Sequence, residues 1–282
     1  MSWKGRLRRA INRVLEPAGF TLQRFRPEMR FRAIESSMVR HRQIVEFQEV
    51  MRRALELCPE LVEGIPEENE IAEFMSILPA CPVSQEGGGG SFSAAMLLWV
   101  VAKALKPDVV VESGVFRGFT TWLLRQACPR AHQYAFDITF AERQRVEQEV
   151  EYHETDWMSV PVKMTDGVST LIYFDDHVDQ WRRIREAAER GFRYIIFDDS
   201  LPSTALHNDG WAAVPTVDML FEPGLVDGEL LEWRTECGQF RHHFDLRAAE
   251  QTRDLVAHYL RLPDLRFVFG YAPANLVLVV LR

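Results

Sequence analysis

Two short apolar runs in the chain each end in acidic side chains. The first run is followed by Asp175, Asp176 and His177, and the second by Asp198 and Asp199. If the two runs are neighbouring strands, four carboxylates converge, and like charges at short range disfavour joint ionisation. A divalent cation relieves that repulsion, and hard oxygen ligands suit Mg²⁺. The alternative is that some of these acids, Asp176 among them, cap helices and face solvent.

His177 stands beside these acids and is the candidate catalytic residue. An imidazole titrates near neutral pH, so it can act as general base for a hydroxyl proton. The alternative for such a histidine is a structural role.

A glycine-containing turn follows the apolar run 109–111 and includes Glu112, Gly114, Gly118 and Thr120. Gly114 permits a tight turn, and Gly118 permits close approach of a ligand or of the next helix. A dinucleotide fingerprint would need glycine where Glu112 stands. A carboxylate there suits a cationic ligand, such as an amino-acid head group. The alternative is a plain turn between a strand and a helix.

Two further acids follow later strands. Asp137 lies 25 residues after Glu112, a spacing at which an acid accepts hydrogen bonds from the hydroxyls of a ribose. The alternative for Asp137 is an N-cap of the next helix. Asp166 ends another apolar run and either borders an adenine or makes a turn.

From residue 107 onward, strand patterns alternate with helix patterns, which predicts a parallel sheet with helices on both faces. The predicted strands are 109–111, 133–136, 160–164, 171–174 and 194–197. The predicted helices are 93–105, 119–128, 140–153, 178–190 and 246–260. The apolar runs 266–269 and 276–281 flank a loop of Gly, Pro and Asn and predict a C-terminal antiparallel hairpin. Residues 201–238 contain too many breaks to assign.

The first 85 residues are predicted to be a helical extension, with helices at 38–57 and after Asn69. Residues 86–282 then form the catalytic domain. The four glycines 87–90 favour either a linker or a loop whose backbone approaches a ligand.

The net charge of −8 is unevenly distributed. Residues 1–32 carry nine basic and two acidic residues, so that segment is +7 and the other 250 residues are −15. Apolar residues recur at helical spacing over 3–15, which predicts a basic amphipathic helix. Such a helix either lies on an anionic membrane surface or docks on protein.

Composition also bounds the location and the partners. The acidic total argues against nucleic acid as a partner. No apolar run reaches the roughly eighteen residues that a membrane span needs, and no apolar segment follows the basic N-terminus as in a secretory signal. We expect a cytoplasmic protein, with peripheral contact at the inner membrane surface through residues 1–32. Whether the protein forms a homo-oligomer stays open.

These motifs resemble class I S-adenosylmethionine-dependent methyltransferases over about residues 92–282. The resemblance implies a Rossmann-like, doubly wound, mostly parallel seven-stranded sheet whose last two strands are antiparallel. It implies S-adenosylmethionine bound by residues of the glycine turn and by the two later acids: Glu112, Gly114, Gly118, Thr120, Asp137 and Asp166.

Within the class, the chain looks most similar to metal-dependent O-methyltransferases of macrolide and aminocoumarin sugars. That resemblance implies Mg²⁺ held by Asp198, Asp199 and either Asp175 or Asp176, with His177 as base. Here the strand-four acids and the histidine are contiguous, whereas the sugar enzymes have a longer spacing.

The sequence therefore predicts transfer of a methyl group to a sugar or another small hydroxylated substrate. The first alternative is a non-catalytic membrane-surface or assembly protein that keeps the fold. The second is an NAD-dependent oxidoreductase, which Glu112 disfavours.

Overall fold

The computed structural model describes residues 36–83, 90–164, 167–208, 212–235 and 237–282. The chain divides into two compact units, 1–31 and 32–282, and every described residue belongs to the second. The predicted basic helix 3–15, the glycines 87–89 and Asp166 lie outside the described residues.

Helices and strands alternate through much of the described chain. The α-helices are α1 Ser37–Ala54, α2 Pro59–Glu63, α3 Glu68–Ile77, α4 Phe92–Leu105, α5 Phe119–Ala127, α6 Gln180–Glu189, α7 Val217–Leu220, α8 Leu246–Leu255 and α9 Arg266–Phe269. The strands are β1 Val109–Ser113, β2 His132–Asp137, β3 Val150–Glu154, β4 Thr170–Phe174, β5 Tyr194–Phe197, β6 Leu230–Thr235, β7 Gly238–His243, β8 Val256–Arg261 and β9 Val277–Leu281.

Within the described residues, the main sheet has seven strands in the order β3-β2-β1-β4-β5-β9-β8. The first five strands are parallel, and β9 is antiparallel to both β5 and β8. The sheet order reverses between β1 and β4, where ligands bind in open α/β sheets. This architecture confirms the predicted fold class, a doubly wound, mostly parallel sheet with an antiparallel C-terminal pair.

Burial explains which strands were easy to predict. β1, β4, β5 and β9 are buried along their whole length, so each is rich in consecutive apolar residues. Helix α6 buries Trp181, Ile184 and Ala187 in one core with Ile172 and Ile195 of the sheet. Helices α4 and α5 pack against each other.

Two predicted elements between β2 and β4 are wrong. Residues 140–149 are not a helix; they form turns and loop, and the strand β3 follows at Val150. Val146 is largely exposed, so the segment has no apolar face to hold a helix against the core. The predicted strand 160–164 is irregular, and β3 occupies the edge position beside β2 instead.

The predicted C-terminal elements are shifted. The helix ends at Leu255, and the residues that follow form β8, which pairs with β9. The run Arg266–Phe269 is a short helix rather than a strand. The Asp264 carboxylate accepts the Arg266 N–H at 2.9 Å, and Gly270 at φ +76° terminates the turn.

The helices that precede the sheet form hydrogen bonds with strand β5 and with helix α9. The Tyr194 hydroxyl donates to Glu60 Oε1 at 2.6 Å, and Gln43 Nε2 donates to the Val268 carbonyl at 3.2 Å. These helices therefore belong to the same compact unit as the sheet. None of the described helices combines the length and apolar character of a membrane span.

Candidate functional site

The carboxyl ends of four parallel strands are tied together by backbone hydrogen bonds. Gly114 N donates to Phe136 O at 2.9 Å, Asp175 N to Ser113 O at 2.8 Å, and Asp198 N to the Phe174 carbonyl at 2.9 Å. Each turn is thereby held against its neighbour. Of the residues predicted to bind a cofactor or a metal, those that the structure describes lie along this edge of the sheet.

Gly114 is the closest link between the two halves of this edge. Its φ is +101°, and a Cβ built there would lie 2.3 Å from the Asp175 carbonyl oxygen. Only glycine fits both the conformation and the space. Gly118, at φ +89°, is the N-cap of α5, and Thr120 is half-buried in the first turn of that helix.

Glu112 is fully buried beneath the glycine turn. The Thr121 hydroxyl donates to Glu112 Oε2, whereas Oε1 is buried with no hydrogen-bond partner among the described residues. Burial raises the pKa of Glu112 to about 8, with a further contribution from Asp137. The vacant Oε1 is an acceptor that a cationic ligand would satisfy.

Asp137 holds the backbone of the glycine turn. Its Oδ2 accepts the amide hydrogens of Val115 and Phe116 at 2.8 and 2.9 Å, and its Oδ1 accepts that of Thr139 at 3.1 Å. No helix follows Asp137 among residues 138–149, so the N-cap alternative is wrong. The next residue, Ile138, is 83% exposed. No motif marks this apolar side chain in the sequence, because a single isoleucine forms no pattern.

Three side chains at the ends of β4 and β5 could hold a metal ion. One ligand atom from each of Asp175, His177 and Asp199 lies within 4.8 Å of the other two. We call these three residues the edge cluster. Burial, followed by repulsion from Asp198 and Asp199, raises the pKa of Asp175 well above its ordinary value.

The edge cluster also stores backbone strain. His177 and Asp199 have φ of +53° and +51°, in the left-handed region that non-glycine residues rarely adopt. Such conformations persist where surrounding structure enforces them and concentrate at functional sites. His177 Nδ1 lies 3.8 Å from Asp199 Oδ2, so the imidazole and the carboxylate face each other.

The other two acids predicted as metal ligands make different contacts. Asp176 Oδ2 accepts the Ser113 hydroxyl at 2.6 Å and lies 2.8 Å from Arg183 Nη2. Asp198 Oδ2 accepts the Tyr173 hydroxyl at 2.7 Å. Between the adjacent candidates, the geometry favours Asp175 over Asp176 as a ligand.

Arg183 is a site residue that the sequence motifs do not indicate. It is nevertheless only 2% exposed. The helical spacing carried a signal, because Arg183 lies on the same face of α6 as the apolar residues Ile184 and Ala187. All of these residues are buried, as is Gln180.

The donor sets fit the two groups that the sequence predicts. Two carboxylates and one imidazole within reach of one another form a set that binds a divalent cation. The buried, unpartnered oxygen of Glu112 beside a close-packed glycine turn fits an amino-acid head group with its ammonium.

Among known proteins, only solved structures match this chain. No family model matches the chain, and no curated protein matches it. Among solved structures, a putative O-methyltransferase from Klebsiella pneumoniae is 12% identical with a TM-score of 0.43, over 84% of this chain and 96% of that one. An O-methyltransferase from Bacillus cereus, in complex with SAH, is 12% identical with a TM-score of 0.41, over 77% and 92%.

A third similar structure is described as CmcI with Mg and SAM. It is 17% identical with a TM-score of 0.35, over 42% of this chain and 58% of that one. The chain spans 61% of another CmcI structure, described with SAH. Two of these four structures are described as O-methyltransferases. At such low identities and TM-scores, they carry no activity over to this chain.

Proposed function

We propose that the protein is an S-adenosylmethionine-dependent O-methyltransferase that uses Mg²⁺ and acts on a glycan or another small hydroxylated substrate. The supporting observation is the contact between the two halves of the sheet edge, the one predicted to bind the cofactor and the one predicted to bind the metal. The glycine turn beside buried Glu112 abuts the backbone of Asp175, a member of the edge cluster. A methyl donor at one half and a hydroxyl at the other would be neighbours, as in-line transfer requires.

The cofactor half would be formed by Glu112, Asp137 and the glycine turn. Glu112 Oε1 would accept a hydrogen bond from the ammonium of the amino-acid moiety, and Asp137 would face the ribose. Bound S-adenosylmethionine would supply an electrophilic methyl group, whose bond to sulfur breaks with its electron pair on sulfur as the acceptor oxygen bonds to carbon.

The acceptor half would be formed by the edge cluster. Asp175 and Asp199 would hold Mg²⁺, which lowers the pKa of a coordinated hydroxyl. His177, oriented by Asp199, would take the hydroxyl proton at the ring nitrogen that does not face that carboxylate. The products are a methyl ether and S-adenosylhomocysteine.

Calorimetry with S-adenosylmethionine and with NAD tests the cofactor. Binding of the first and not of the second is expected, and Glu112→Gln should weaken it about tenfold or more, because the amide cannot pair with an ammonium as a carboxylate does. Binding of NAD alone would contradict the proposal and favour an oxidoreductase.

Transfer of a labelled methyl group to a panel of glycans and small polyols, with Mg²⁺ or with chelator, tests the reaction. Transfer that requires Mg²⁺ is expected. Cofactor binding without transfer to any acceptor would favour the non-catalytic alternative.

Peripheral membrane contact through residues 1–32 is a separate proposal, supported by the charge of that segment. Co-sedimentation of the full chain with anionic vesicles tests it against a variant with Arg8→Glu and Arg9→Glu. Equal co-sedimentation of the two proteins, or none of either, would contradict it.

A further inference from the structure

Arg183 is a buried cation directly behind the edge cluster. Its Nη2 lies 2.7 Å from Asp156 Oδ2 and 2.8 Å from Asp176 Oδ2, and its Nη1 donates to Glu186 Oε2 at 2.7 Å. The guanidinium also lies over the ring of Phe174, 5.5 Å from its centroid. A planar fork with several donors suits this multiple contact, which lysine could not reproduce.

Asp176, the partner of Arg183 nearest the site, is fixed from three sides. One oxygen accepts the Ser113 hydroxyl and faces Arg183, and the other accepts the Val178 N–H at 3.3 Å. The carboxylate is thus held on the side of β1 and α6, outside the edge cluster.

Asp176 stands between Asp175 and His177 in the chain, so its fixation also fixes them. The turn that these residues form is strained at His177, where φ is +53°. A strained turn keeps its shape only while its anchors hold it. Asp176 is the side-chain anchor of this turn, and Arg183 compensates the charge of that anchor.

We propose that Arg183 is a positioning residue for the metal site: it retains Asp176 as an anchor, and so presents Asp175 and His177 beside Asp199. This inference rests on the proposed Mg²⁺ role of the edge cluster. It assigns to Arg183 an action through Asp176, without contact with the metal or the substrate.

The direction in which cation affinity changes when Arg183 is removed separates a positioning role from a purely electrostatic one. If Arg183 acted only as a nearby positive charge, its removal would strengthen cation binding. If it positions the turn, its removal weakens binding, because Asp176 loses its partner and the turn loses its anchor. Loss of such an outer partner lowers metal affinity about 10- to 100-fold.

The experiment is calorimetric titration of the full chain with Mg²⁺ alone. Arg183→Met keeps the length of the side chain and removes its charge and donors. The matched control is Arg190→Met at the C-cap of the same helix, because Arg190 also lies over an aromatic ring, that of Trp157, and donates to the Met158 carbonyl. Arg190 donates to the carbonyls of Met158 and Val160, away from the edge cluster, so unchanged affinity is expected for the control.

Two further variants keep the inference testable if Arg183→Met does not fold. Asp176→Asn alone retains hydrogen-bonding groups toward Ser113 and Val178, so its Mg²⁺ affinity should stay within about threefold of the wild type, since Asp176 is no ligand. In the double variant Arg183→Met with Asp176→Asn, both charges of the Arg183–Asp176 pair are removed, so neither is left unpaired. The Mg²⁺ affinity should then return toward the wild-type value.

Several outcomes would overturn the inference. Arg183→Met that binds Mg²⁺ as tightly as the wild type, or more tightly, shows that the turn does not need this anchor. Asp176→Asn that loses affinity as strongly as Asp199→Asn makes Asp176 a ligand. A wild-type chain that binds no Mg²⁺ would contradict the proposed metal role itself. The two variant results above would contradict only the inference about Arg183, so the two failures are distinguishable.

Discussion

The two halves of the sheet edge handle their acids in opposite ways. On the side of β1 and β2, Asp137 accepts three backbone N–H groups, and Glu112 accepts the Thr121 hydroxyl. On the side of β4 and β5, burial raises the pKa of Asp175, and repulsion from Asp198 and Asp199 raises it further. The first half pairs its acids with hydrogen-bond donors, except for one oxygen of Glu112, and the second leaves Asp175 close to two other carboxylates.

The contrast identifies where each half needs a ligand. Repulsion among carboxylates is relieved by a cation, so the β4–β5 half has a use for a metal. The β1–β2 half needs only one additional donor, for the vacant oxygen of Glu112. Asp176 is the exception within the β4–β5 half, because the positive charge of Arg183 compensates its negative charge.

The largest effect is expected from removal of an acid in the edge cluster. Asp199→Asn, or Asp175→Asn, should lower methyl transfer by about two to four orders of magnitude, since a metal's charge stabilisation amounts to several kcal/mol. The measurement is the rate of labelled methyl transfer at saturating Mg²⁺. The control is Asp264→Asn, an acid that pairs with Arg266 away from the sheet edge. Full activity of both site variants would remove the metal mechanism.

The next largest effect is expected where the two halves touch. Gly114→Ala should lower the free energy of unfolding by about 3 kcal/mol or more, because the added methyl meets the Asp175 carbonyl and the backbone keeps a positive φ. Gly191→Ala is the matched control, since Gly191 also has positive φ (+77°) but nothing within 4 Å of the added Cβ. It should cost about 1 kcal/mol. Equal losses in denaturant unfolding would show that the contact is not tight.

The contrast between the halves also separates what sequence could predict from what it could not. The buried strands β1, β4 and β5 were readable because both of their faces are covered, which selects apolar runs. The edge strand β3 is polar and half-buried, and its neighbour 140–149 was mistaken for a helix. Strand β8 was read as a continuation of α8, since only its pairing with β9 distinguishes the two.

The candidate site shows the same limit at single residues. The acids at strand ends were found because parallel strands bring their ends to one edge. The choice between Asp175 and Asp176 was left open, because it depends on which of two adjacent side chains meets Arg183 and Ser113. Those contacts join separate strands and helices, and no spacing in the sequence encodes them.

A smaller effect tests the buried acid of the β1–β2 half. A carboxyl whose pKa rises from 4.5 to about 8 on folding binds a proton more tightly in the folded state. Its neutral form stabilises the fold fully below about pH 4.5, and this stability is lost as pH rises through about 8. Glu112→Gln removes that dependence, so the unfolding free energy of the variant should gain about 2 to 4 kcal/mol relative to the wild type as the pH rises from 5 to 8.5. Urea unfolding across this range measures the gain, and parallel curves would show that Glu112 is ionised in the fold.

The smallest effect concerns Asp137, for which a purely ligand-binding role and a structural role give different results. Asp137→Asn keeps an oxygen for the amides of Val115 and Phe116 but loses the charge that strengthens both hydrogen bonds. The expected cost is about 1 kcal/mol of unfolding free energy, measured in the absence of any cofactor. If Asp137 served only to bind a ribose, the variant would be as stable as the wild type and would differ only when S-adenosylmethionine is present. A loss without the cofactor, and a further loss of cofactor affinity, would mean that the acid that holds the turn is also the acid that receives the ligand.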